Sequence, residues 1–141
     1  MSIVLLAALI TACVLIHAIG MWAGLVILTK VLRQLGKPLG RGVAVGVLTV
    51  AVCGLFCLHV LHILVWAGFY QWHALLPTFE AAVYFSATSY ATLGYGDVLL
   101  PERWRILGPF EAVTGVLMFG WSTGALFVLA SRLYGRFFRE E

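Results

Sequence analysis

Long stretches of this chain carry no charged side chain, and the gaps between charges divide it into apolar segments. Residues 3–28, 43–69 and 107–131 form three such runs, the last interrupted only by Glu111. A helix needs about 20 residues to cross the hydrocarbon core of a bilayer, so each run is long enough to span. Between the second and third lies 78–91, roughly 14 residues and too short to cross. Pro77-Thr78 before it reads as a helix start, with Thr78 as N-cap and Glu80 near the positive end of the helix dipole. The pattern predicts three spanning helices and one short helix between the second and third.

Composition agrees. The 141 residues are 62% hydrophobic and only 11% charged, whereas a soluble domain carries about twice that charged share. Cys13, Cys53 and Cys57 all fall inside apolar runs and read as small buried hydrophobes without a disulfide framework. The N-terminal run has no basic residue before it and exceeds the about 7–15 residues of a secretory core, so it is expected to be a retained helix.

Charge then predicts orientation. Lys30, Arg33, Lys37 and Arg41 follow the first run without an acid, and Arg132, Arg136 and Arg139 follow the third. The positive-inside rule puts both groups in the cytoplasm. The N-terminus is then outside, and 92–97 opens to the outside as well. The basic pI of about 9.0 follows from these helix-end charges and does not call for a nucleic acid. Trp66, Tyr70, Trp72 and Trp104 fall near the outer ends, where an aromatic belt is expected.

The segment that carries chemistry is Thr92-Leu93-Gly94-Tyr95-Gly96-Asp97. A K⁺ ion sheds water cheaply only where oxygens replace its hydration shell, and inward-facing backbone carbonyls repeated around an axis supply them. Glycines suit such a backbone because it visits conformations a Cβ forbids. The string resembles the selectivity filter of the pore-loop potassium-channel family, usually T-V-G-Y-G-D, and the resemblance extends over 43–131. Leu93 stands in place of Val, at a position that contributes a carbonyl, so the change touches packing more than coordination.

The resemblance implies an all-α membrane protein: three transmembrane helices with a re-entrant pore helix and filter loop per subunit, in a homotetrameric pore. It divides the chain into an N-terminal helix (1–29), a basic cytoplasmic loop (30–42), a pore module (43–131) and a cytoplasmic tail (132–141). The carbonyls of Thr92, Leu93, Gly94 and Tyr95 and the Thr92 hydroxyl would hold K⁺, the transported ion and the only one implied, with Gly96 completing the loop. The Tyr95 ring would point into aromatic residues of the pore helix. Filter support would come from Asp97, from Thr88 where some relatives have glutamate, and from Tyr84 and Phe85 where relatives often have tryptophan. Gly115 and Gly120 match the two inner-helix glycines, read equally as hinge or as close packing.

Buried polar groups complete the picture. His59 and His62 share one face of the second run, continued by Trp66, while Cys53 and Cys57 point away, which argues against a Cys/His metal site there. His17 lies mid-span in the first run. Counting from the outer ends, His62 and Glu111 fall at similar depth, and pairing would relieve both burial costs, as structural glue or as a pH sensor. No span carries the regular arginines of a voltage sensor, and no nucleophile motif, phosphate loop or metal-ligand cluster suggests an enzyme. About ten residues follow the third run, too few for a cytoplasmic ligand-binding domain. The sequence thus predicts a K⁺-selective channel in a membrane, the bacterial inner membrane by resemblance. The alternatives are a weakly selective cation channel and a non-conducting regulatory membrane partner.

Overall fold

The computed structural model describes residues 3–34 and 40–137, with side chains through Tyr134. Four α-helices make up the fold: α1 (Ile3–Gln34), α2 (Arg41–Trp72), α3 (Phe79–Tyr90) and α4 (Leu107–Phe137), with a 3₁₀ turn at Glu102–Trp104 before α4. No strand occurs among the described residues. Helices α1, α2 and α4 are long and apolar enough to cross a membrane. Lys37 and Arg139 of the predicted basic groups lie outside the described residues, and the side chain of Arg136 does too.

The three long helices outrun the apolar runs that predicted them. At 1.5 Å per residue, the 32 residues of α1 reach about 48 Å, beyond a hydrocarbon core of about 30 Å. Hydropathy marks only the part that fits in lipid. Lys30, Arg33 and Arg41 are good helix formers or sit at a helix end, so nothing in them stops the backbone from winding on. Pro109 falls in the first turn of α4, where its missing N–H costs no intrahelical bond.

Helix α2 stops through specific backbone bonds. Ala74 adopts φ +50°, Leu75 N–H donates to the Tyr70 carbonyl (2.9 Å) and Ala74 N–H donates to that of Gln71 (3.0 Å). Those two bonds define a Schellman closure, here with alanine where glycine is usual. Leu75 and Leu76 fold back into the core, and Pro77 prevents the helix from resuming. Thr78 then caps α3, its Oγ1 accepting from Ala81 N–H at 3.1 Å, as the Pro-Thr signal predicted.

The short helix α3 packs between α2 and α4, and α1 packs against both α2 and α4. The core gathers at one end of the bundle around Trp66, Ala67, Tyr70, Ala82, Phe85, Leu100 and Leu107. Trp66 and Tyr70 are fully buried there, so they belong to the core and not to an interfacial belt. They share a face of α2 at i and i+4, and that face meets α3 and α4. Trp72, by contrast, is 88% exposed.

Candidate functional site

The 92–97 loop grows directly out of the end of α3. Thr92 has φ +61°, Leu93 N–H donates to the Thr88 carbonyl (2.8 Å) and Thr92 N–H to that of Ser89 (2.9 Å). This is a second Schellman closure, with a β-branched residue in a conformation such residues rarely tolerate. Gly94 (φ +55°) and Gly96 (φ +78°) follow, while Leu93 and Tyr95 keep negative φ. A sign that alternates at every residue lets successive peptide carbonyls face one side, whereas in an extended strand they alternate. Gly94 N–H also donates to the Thr88 carbonyl, at 3.1 Å, tying the loop back to the helix.

Of the predicted support residues, Tyr84 reaches the loop: its hydroxyl donates to Asp97 Oδ2 at 2.7 Å. Asp97 Oδ1 also accepts from Val98 N–H at 3.1 Å. The Tyr84 bond in particular holds the exposed Asp97 carboxyl below the usual carboxylate range. Thr88 does not provide that contact. Its side chain donates to the Phe85 carbonyl (3.0 Å), and it supports the loop through its backbone oxygen. Phe85 is turned the other way, buried and edge-on to Tyr70 at 5.3 Å. Neighbours on a helix lie about 100° apart, so Tyr84 and Phe85 cannot both face the loop.

Thr92, Leu93, Gly94, Tyr95, Gly96 and Asp97 are all exposed in the single chain. Tyr95 is 65% exposed and takes no part in the ring contacts that hold Tyr70, Phe85 and Tyr90, against the expectation that it packs on aromatic residues of α3. One copy of the loop offers it no pocket. Gly115 packs closely: a Cβ there would run into the Tyr90 carbonyl, so α4 meets the end of α3 backbone to backbone. Gly120 faces open space in the single chain, and α4 passes through both positions unbroken.

The predicted His62–Glu111 pair does not form. Glu111 Oε2 accepts from the Tyr70 hydroxyl at 2.6 Å, and its Oε1 lies 2.5 Å from the Ser86 hydroxyl, which also reaches the Ile63 carbonyl at 2.9 Å. His62 instead contacts the Tyr90 hydroxyl and the Cys13 carbonyl. Through Ser86, Glu111 is joined to the carbonyl of Ile63, the residue next to His62, so the expected similarity of depth is close and the expected partner is not. The pairing fails on direction: His62 turns to α1 and Tyr90, whereas Glu111 turns to Tyr70 and Ser86. Tyr70, Ser86, Tyr90 and Ser122 passed unnoticed as polar partners, although Ser86 and Tyr90 stand at i and i+4 on one face of α3.

Among known proteins, the family model described as ion channel matches residues 44–132. No curated protein and no solved structure matches the chain.

Proposed function

The chain belongs to this ion-channel family, and within it we propose a K⁺-selective pore assembled from four copies. With three helices able to cross a bilayer, it is an integral membrane protein. In the proposed reading α3 is a re-entrant pore helix, 43–131 is the pore module, and 92–97 is the filter. Thr92, Leu93, Gly94 and Tyr95 would offer carbonyls to K⁺, which crosses passively after shedding its water. The negative end of the α3 dipole would face the same ion. The basic residues between α1 and α2 would lie in the cytoplasm, with the filter opening outward, in a bacterial inner membrane.

The observation that carries this reading is the alternation of φ along 92–96, which lets several carbonyls gather on one side of an exposed loop. A second supports it. Irregular backbone is tolerated at membrane depth only where protein or a wet cavity surrounds it, and one copy leaves this loop uncovered. Three further copies around an axis would cover it.

The test is ion flux through purified protein in liposomes. K⁺ and Rb⁺ are expected to pass far better than Na⁺, with block by Ba²⁺. Equal K⁺ and Na⁺ permeability would indicate a weakly selective cation pore, and no flux in a correctly assembled preparation a non-conducting partner.

A further inference from the structure

Three histidines from two helices converge behind the end of α3. The ring of His17 on α1 lies 5.7 Å from that of His59 and 5.3 Å from that of His62, and the two α2 rings are 6.1 Å apart. His17 and His62 are fully buried, and His59 is half-buried. Hydroxyls link them in one line. His62 Nε2 is 3.1 Å from the Cys13 carbonyl, and its Nδ1 is 3.0 Å from the Tyr90 hydroxyl. The same hydroxyl is 3.0 Å from His59 Nδ1, His59 Nε2 is 3.1 Å from Ser122 Oγ, and Ser122 Oγ is 3.3 Å from His17 Nε2. His17 Nδ1 is buried without a partner.

One anchor fixes every proton in that line while the rings are neutral. A carbonyl only accepts, so His62 Nε2 carries hydrogen and its Nδ1 must accept from Tyr90. The Tyr90 oxygen then accepts from His59 Nδ1–H, which leaves His59 Nε2 to accept from Ser122. Ser122 oxygen in turn accepts from His17 Nε2–H. The line ends at a bare lone pair, His17 Nδ1. The other ring nitrogens already face a hydroxyl or carbonyl, so the cluster is not a chelating metal site.

We infer that this line is a binding site for one excess proton, completed by α1, whose occupancy opposes K⁺ conduction through the adjoining loop. The regulatory half rests on the conducting reading above; the proton site does not. A proton added at His17 Nδ1 need not stay there. His17 Nε2–H passes to Ser122, the Ser122 hydrogen to His59 Nε2, His59 Nδ1–H to Tyr90, and the Tyr90 hydrogen to His62 Nδ1. Each oxygen ends with one hydrogen and each of the first two rings ends neutral. The charge rests on His62, whose Nε2–H stays on the Cys13 carbonyl. Every link between His17 and His62 has reversed, the Tyr90 hydroxyl among them.

Tyr90 is the last residue of α3, two before Thr92. A cation beside it occupies the negative end of the α3 dipole, the end proposed to favour K⁺, so the two cations compete for one field. The other titratable groups facing this region are Cys13 on α1, Tyr70 on α2 and Glu111 on α4, with Tyr90 itself on α3. Of these Glu111 can also take a proton, but both its oxygens already accept from the Tyr70 and Ser86 hydroxyls. His17 Nδ1, by contrast, is a buried lone pair with no donor, so the proton line is entered at the histidines, and the triple variant separates the two. Helix α1 supplies both ends of the line, the Cys13 carbonyl and the open His17 nitrogen, which gives the helix outside the pore module a task.

The test uses ¹⁵N-histidine-labelled full-length protein in lipid, assigned with single His→Gln variants, followed by solid-state NMR and K⁺ flux. At about pH 8, His59 is expected as the Nδ1–H tautomer and His17 and His62 as Nε2–H, with one imidazolium per subunit forming on acidification. Flux is expected to fall about tenfold with that proton, the scale of a unit charge acting across roughly 10 Å of protein. The His17→Gln, His59→Gln, His62→Gln triple variant should lose that acid response. Any other tautomer set, or no imidazolium down to about pH 4, overturns the proton site. This spectrum comes from wild-type protein and decides the site even if the triple variant does not fold. Flux that falls equally in the triple variant overturns the regulation. Absence of K⁺ flux at every pH, with the tautomers as expected, overturns the conducting reading and leaves the proton site standing.

Discussion

Glu111 shows how a single side chain can be carboxyl by type yet behave as a framework group. It is fully buried, and two hydroxyls serve it, while the one proton of Ser86 faces both Glu111 and the Ile63 carbonyl. Glutamine fits the same partners: its amide oxygen accepts from Tyr70, its NH₂ donates to Ser86, and Ser86 is free to donate to Ile63. Glu111→Gln should therefore melt within a few degrees of wild type in detergent. Glu111→Leu strands the Tyr70 hydroxyl and should lose about 1–3 kcal/mol. Near-equal melting of the two variants would mean the network contributes nothing.

Tyr84 gives a pH-dependent case. Asp97 titrates lower in the folded protein than unfolded, because Tyr84 donates to it. The contact's stabilisation is therefore present above the ordinary carboxylate range and lost as pH falls through the folded value. Removing the donor in Tyr84→Phe should raise the Asp97 midpoint, read from its ¹³C carboxyl shift; an unchanged midpoint would deny the bond a role. The motif 92–97 was legible in the sequence because its residue types are rare together. Tyr84 as the partner of Asp97 was not, since matching positions to relatives pointed to Thr88, whose side chain is spent on its own helix.

At the scale of elements, existence and order of the helices were legible and their ends were not. Hydropathy sees lipid, whereas helix ends depend on caps, and only Thr78 announces itself by type. The closure after α2 uses Ala74, which carries no turn signature. Ala74→Gly should relieve the left-handed alanine while adding chain entropy, a net gain of about 0.5–1 kcal/mol. Thr78→Ala removes the cap of α3 and should cost about 1 kcal/mol. Thermal melts in one detergent compare both, and a destabilised Ala74→Gly would refute the strain assigned to that turn. The pairing of faces was the harder problem. Periodicity placed His59, His62 and Trp66 together on α2, but which helix each would meet depends on azimuth and relative height, which one chain's pattern does not encode.

For the whole molecule, exposed apolar surface is the dominant feature. Trp22, Phe56, Val113, Leu117, Trp121 and Phe127 are among many large apolar side chains left open in a single copy, far more than a soluble monomer carries. Lipid can cover some of it; it cannot satisfy the backbone of 92–97. Native mass spectrometry from mild detergent should give a four-copy assembly whose melting point rises with K⁺ over Na⁺, because an ion bound only by the assembled state stabilises it. Monomers or dimers alone would rule out the four-fold pore. The backbone closure at Thr92 has one more consequence. Helix α3 and the 92–97 loop meet at that residue, with no linker between them. Any small tilt or roll of α3 therefore arrives undamped at the first carbonyl, so in the proposed pore the helix would work as a lever whose short arm is the ion's own coordination shell.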